Sequence, residues 1–189
     1  METETTYTSF AGTTLLSSGD LRTMLRATKA YLDGSAPDTV LIFEDQTGQQ
    51  VDFDFRGTPD EVLSRVEPTA KPAPGRGRPK LGVVPREVTL LPRHWEWLER
   101  QPSGISAALR RLVEETMKRN PGEEQTRRAR EAASRFLWSI AGNLPHFEET
   151  TRALFAGNQP RLEELTADWP PDIRRHLLWM LDEPQRSKS

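Results

Sequence analysis

The sequence predicts an α+β chain assembled in pieces: a small β-α-β-β-α module, a proline-rich linker, a strand-helix-helix segment and C-terminal helices. Three observations predict it. The hydrophobic period switches between two residues and about 3.6 within the first 66 positions. The 15 prolines gather in connections, and only 35% of the 189 residues are hydrophobic, well short of what one large core uses. From residue 92 onward the apolar spacing is helical. The implied boundaries are 1–66 for the front module, 67–82 for linker and arm, 83–120 for the strand-helix-helix segment, 121–183 for the helical module and 184–189 for a tail.

Tyr7–Ala11 reads as the first strand. Ser17, Ser18, Gly19 and Asp20 supply capping chemistry for a helix whose apolar face carries Leu21, Met24, Leu25, Thr28, Tyr31 and Leu32. Residues 39–44 (TVLIFE) form a buried-type strand. In the following run Val51, Phe53 and Phe55 alternate with Asp52, Asp54 and Arg56, so the acids face water. Asp45-Gln46-Thr47-Gly48 between these runs is a turn sequence, with Gly48 for the positive-φ position, and the two strands are expected to pair as a hairpin. Thr58-Pro59-Asp60-Glu61 opens a short helix that ends near Val66.

Prolines and small residues from Pro68 to Gly75 make a linker that buries too little to fold. A strand is expected over 83–91, a helix from Pro92 with Trp95 and Leu98 facing one way, and a break at Gln101-Pro102-Ser103-Gly104. Ser106 is expected to cap a second helix over 107–119, with Ala108, Leu109, Leu112, Val113 and Met117 on its apolar face. About 35 residues of this kind cannot bury a core alone, so a dimer is the natural solution.

A helix over 123–140 stops at Gly142. The nonapeptides 141–149 and 156–164 then match as A-G-N-x-P-x-apolar-E-E. Both are expected to be helix corners, with Gly ending one helix, Asn capping the next, Pro in its first turn and the acids at its N-terminal dipole. Trp169-Pro170-Pro171-Asp172 begins a last helix through Ile173, Leu177, Leu178 and Met180.

Formal charge is −2 overall but uneven. Residues 1–66 hold 5 Lys/Arg against 11 Asp/Glu, whereas 67–120 hold 11 against 6. The positive excess is concentrated in 71–93, with six basic residues and Glu87 as the single acid, a local footprint suited to nucleic acid. No apolar run reaches 18 residues and the N-terminus has no basic-then-apolar leader, so no membrane partner and a cytoplasmic location are expected. The absence of cysteine excludes disulfides, thiol catalysis and thiolate zinc. His94, His146 and His176 lie on separate elements and are expected at surfaces or interfaces. Without metal-ligand spacing, a Walker loop or a catalytic constellation, no enzyme activity, cofactor or metal is expected. The five tryptophans read as packing residues.

Arg76, Gly77, Arg78 and Pro79, followed by Lys80, resemble an AT-hook core. Glycine lets such a backbone sit deep in the minor groove of A·T tracts, and both arginines can lie along it. The run Val88-Thr89-Leu90-Leu91-Pro92 and the string Ser106-Ala107-Ala108-Leu109-Arg110-Arg111-Leu112-Val113-Glu114-Glu115 resemble a ribbon-helix-helix DNA-binding domain over residues 86–117. That resemblance implies an obligate homodimer whose strands pair antiparallel and enter the major groove. It implies Val88, Leu90, Trp95, Leu98, Leu109, Leu112 and Val113 in the dimer core, with Glu87 and Thr89 facing DNA, where the family usually shows Arg, Lys, Gln or Asn. It also implies that Ser106 and the amides after it hold a phosphate, with Arg86, Arg93 and Arg110 on the DNA backbone. The whole chain is similar to an uncharacterised bacterial protein family, a resemblance that supplies no activity.

The expectation is therefore a dimeric bacterial transcriptional regulator at the nucleoid, binding double-stranded DNA with sequence or A·T preference. Its acidic front module and C-terminal helices would take a protein or small-molecule effector, or compete with DNA for the basic stripe. The alternative is an adaptor or antitoxin-like module with an incidental basic linker.

Overall fold

The computed structural model describes residues 5–34, 39–66, 84–119 and 121–186. The chain divides into two compact units, one made of both ends (Met1–Glu67 with Gly122–Ser189) and one of the middle (Pro68–Pro121). The architecture is mixed α+β, a four-stranded antiparallel sheet accompanied by helices.

In the first unit, β1 (Tyr7–Ala11), β2 (Thr14–Gly19), β3 (Val40–Glu44) and β4 (Gln49–Gln50) lie in the order β2-β1-β3-β4. The front module is thus β-β-α-β-β-α, one strand richer than expected. The sequence hides β2 because its hydroxyl residues look like loop and capping chemistry. Gly12, at φ 55°, allows the tight turn that sends Thr14 back along Ala11. Register then shifts between Ser9 and Phe10, leaving Leu16 as an extra residue on β2. Capping falls to Asp20 alone: Oδ1 accepts from Thr23 N at 2.9 Å at the start of α1 (Leu21–Gly34). The expected hairpin is present as β3 and β4, but β4 spans two residues and 51–56 carry no ladder. Val51, Phe53 and Phe55 are nonetheless partly buried, while Asp52 and Asp54 are exposed.

Alternation along the strands serves both faces of the sheet. On one, Ile42 packs with Met24 and Leu25 of α1 and with Val62 and Leu63 of α2 (Pro59–Val66). At the start of α2, Thr58 N donates to Glu61 Oε2 at 2.7 Å and Glu61 N to Thr58 Oγ1 at 3.3 Å, a reciprocal capping box. On the other face Phe10 and Phe43 join a core from four helices, so the two ends of the chain share one core. The middle unit holds the two helices numbered before them; these four are α5 (Pro121–Ile140), α6 (Phe147–Ala156), α7 (Gln159–Leu165) and α8 (Pro171–Arg186). Leu15 N donates to Asp172 Oδ2 at 2.9 Å, tying β2 to α8. None of the described helices is long and apolar enough to cross a membrane.

The β3–β4 turn is set hard against α5. Arg135 Nη1 donates to Thr47 O at 2.7 Å, and a Cβ at Gly48 would overlap Ala132 O and stand 2.6 Å from its carbonyl carbon. Gly48 also has φ 66°. Gly48→Ala should therefore destabilise the protein by roughly 1–3 kcal/mol, from strain and the close approach together. Urea denaturation checks it; an unchanged midpoint contradicts this packing.

The two A-G-N-x-P nonapeptides form different corners. At the second, Gly157 (φ 69°) ends α6 and Asn158 Oδ1 accepts from Arg161 N, as expected, but Glu163 and Glu164 lie beyond the first turn of α7. At the first, Gly142 has no positive φ; His146, at φ 59° with no side-chain cap, precedes α6. Trp169 Nε1 donates to Pro145 O at 2.8 Å there, a tertiary contact the local pattern does not contain. The last helix runs to Arg186, past the expected start of the tail.

In the second unit, α3 (Pro92–Glu99) begins at its proline and meets α4 (Ile105–Arg119) across a turn closed by Gly104 at φ 76°. Leu98 and Ala108 are the buried apolar residues of the described part. Residues 84–91 form no strand, because a ribbon needs a partner strand and the described part of this unit supplies none.

Candidate nucleic-acid interface

The residues expected to touch DNA divide by what the structure describes. Arg76, Gly77, Arg78, Pro79 and Lys80 lie outside the described residues. Arg86, Glu87 and Thr89 are exposed on the irregular stretch before α3, and Arg93 is exposed in its first turn, with Nε 3.5 Å from His94 Nε2. Ser106 and Arg110 are exposed on α4, where they line an open hollow of about 500 Å³. Because α4 begins at Ile105, Ser106 lies inside its first turn and is not the residue that caps it. Ala108 N already donates to Gly104 O at 3.0 Å, so the amides of residues 105–107 are those without an intrahelical acceptor. That end of the helix favours an anion. Glu99, which also lines the hollow, opposes one.

The expected dimer-core residues fall into three groups. Leu98 is buried within one chain, and Leu90, Trp95 and Leu109 are partly buried. Val88, Leu112 and Val113 are exposed, at 53%, 38% and 57%. Met117, at 62%, continues that face of α4, while Leu91 and Trp97 are further exposed apolar residues that the sequence reading did not assign to a seam. The signal for Trp97 is its two-residue spacing from Trp95, which on a helix puts the two indoles on different sides of α3.

Of the three histidines, His94 and His146 are exposed, but His176 is not at a surface. It is 4% exposed, within 5.6 Å (ring centre to ring centre) of Phe10, Phe136 and Trp179. Its Nε2 stands 3.6 Å from Asp45 Oδ1, too far for a hydrogen bond. Burial pushes the imidazole down to about 4 from 6.5. The folded chain keeps it neutral, while the unfolded chain protonates it below pH 6.5. Its contribution is thus complete above that pH and is lost as pH falls toward 4. Unfolding free energies at pH 7 and pH 4.5 should differ more for the natural protein than for His176→Gln; equal differences contradict the assignment. No cluster of three or more metal-ligating side chains exists among the described residues.

A family model described as "Uncharacterized protein conserved in bacteria (DUF2239)" matches residues 6–181. No curated protein and no solved structure matches the chain.

Proposed function

From the premise that the chain belongs to this bacterial family, we propose that it is a DNA-binding protein working as a homodimer through its middle unit. The observation that carries the reading is the apolar face this unit leaves uncovered. Val88, Leu112, Val113 and Met117 are exposed on the stretch before α3 and on α4, and among the described residues of this unit only Leu98 and Ala108 are buried. A second copy supplies what is missing: a partner strand for 84–91 and an apolar face for α4. The ribbon-helix-helix resemblance gives the same pairing.

Charge supports DNA as the partner. The middle unit, 68–121, holds 11 Lys/Arg against 5 Asp/Glu, a net of +6, while the rest of the chain holds 15 against 23, a net of −8. Two copies bring two positive units together, with exposed Arg86, Arg93 and Arg110 available for phosphates. The Arg76–Lys80 arms would reach into adjacent minor grooves and favour A·T-rich flanks. The reading assigns no catalytic step to the protein and implies a cytoplasmic, nucleoid-bound location.

Val113→Glu tests the dimer. The side chain is 57% exposed in a single chain, so the monomer tolerates the change. At a closed seam each unpaired buried carboxylate costs about 3–5 kcal/mol, enough to weaken association a hundredfold or more. Sedimentation equilibrium should show a dimer for the natural chain and a folded monomer for Val113→Glu. A natural chain that is monomeric at micromolar concentration sinks the proposal.

A further inference from the structure

Helix α5 carries four arginines, and one of them differs from the rest. Arg127 pairs with Glu124 and Glu131, Arg128 with Glu124, and Arg135 with Glu131 and Thr47 O. Arg130 makes no ion pair or hydrogen bond among the described residues. It is partly buried, and its guanidinium lies on Gly157 at the carboxyl end of α6, where a Cβ would overlap Nη2 and come within 3.0 Å of Cζ. The partial negative charge of that helix end makes the cation tolerable there, yet it provides no counter-ion.

Arg130 lines a cavity of about 190 Å³ between α5, α6, α7 and α8. Ala129, Ala153, Leu154, Leu162 and Leu181 give it apolar walls. Thr126 and Gln159 contribute the remaining polar side chains among the described residues. The cavity is partly open to solvent and most of its accessible lining is polar; a volume of ~150 Å³ already accepts benzene, so there is room for a molecule of about nine non-hydrogen atoms that carries a polar end.

We propose that this cavity is a binding site for a small organic monocarboxylate, its apolar body held between α5 and α7 and its carboxylate paired with Arg130. A guanidinium fork matches a carboxylate in two parallel hydrogen bonds. Arg130 is the one cation among the described lining residues, which suits a single negative charge better than a phosphate dianion. The site lies in the unit built from both chain ends and does not depend on the DNA-binding reading.

Calorimetric titration of the full chain with benzoate, with the isosteric neutral benzamide and with inorganic phosphate tests the proposal. Benzoate should bind saturably with a Kd on the order of 0.1–1 mM. Benzamide should bind at least roughly tenfold more weakly, consistent with losing a charge-assisted pair. Arg130→Gln should remove the preference for benzoate over benzamide. Ala129→Leu, which keeps the arginine and fills the cavity, should weaken both. The proposal is overturned by the absence of saturable benzoate binding up to roughly 10 mM, by tighter binding of phosphate, or by benzoate binding that survives both substitutions.

Discussion

Phe136→Ala is expected to unfold the two ends of the chain together. The ring lies 5.6 Å from Phe10, 5.0 Å from Phe43 and 4.8 Å from His176, centre to centre, and is fully buried. It therefore joins β1 and β3 to α5 and α8 at one point. Truncating a buried phenylalanine costs about 3–5 kcal/mol in transfer and cavity terms, a large share of the 5–15 kcal/mol typical of a domain. The neighbouring rings are edge-on or tilted and belong to three different elements, so collapse into the gap would need all three to move. Chemical denaturation followed by tryptophan fluorescence and far-ultraviolet dichroism should show one shifted transition. A sheet signal that survives while the C-terminal helices melt contradicts this arrangement. For the same reason, removing residues 1–66 is no clean test of competition between the acidic front and DNA. The deletion strips Phe10 and Phe43 from the core that Phe136 completes.

On the proposed reading as a DNA-binding dimer, Arg76→Ala combined with Arg78→Ala should produce the largest loss of DNA affinity available without touching the residues assigned to the dimer seam. These residues lie outside the described part, so the expectation rests on sequence chemistry: two permanently charged arginines separated by one glycine and followed by proline. A dimer carries two such arms. Each phosphate contact removed flattens the dependence of log K on log salt by about 0.9, and loss of minor-groove contacts erases any preference for narrow A·T tracts. At low salt the expected weakening is about tenfold or more, with the dimer intact. Unchanged affinity and salt slope would return the arm to a solvated linker.

Much of the local structure is legible in the sequence, and much of the tertiary structure is not. Pro92, Pro171 and the Thr58–Glu61 box mark helix starts where the structure has them. Gly48 marks its turn. These signals act within a few residues and need no partner. Strand β2 escapes because Thr14, Ser17 and Ser18 form it through pairing with β1, not through propensity. His176 escapes for a related reason. Nothing adjacent to it in α8 announces Phe10 or Asp45, which arrive from more than 130 residues away. The closure of both chain ends into one core is likewise invisible locally, since either end alone reads as a complete amphipathic set. In the middle unit the apolar face of α4 is plain from its spacing. That Leu112 and Val113 stay uncovered while Leu98 is buried depends on how α3 folds back.

The most direct measurement is fluorescence anisotropy of the full chain against labelled A·T-rich and G·C-rich duplexes at two salt concentrations. A dimeric regulator with basic arms should bind the A·T-rich duplex tightly at low salt and lose affinity steeply as salt rises. No binding at low salt by a chain that is folded and dimeric would contradict DNA as the partner and leave the protein-adaptor role in its place.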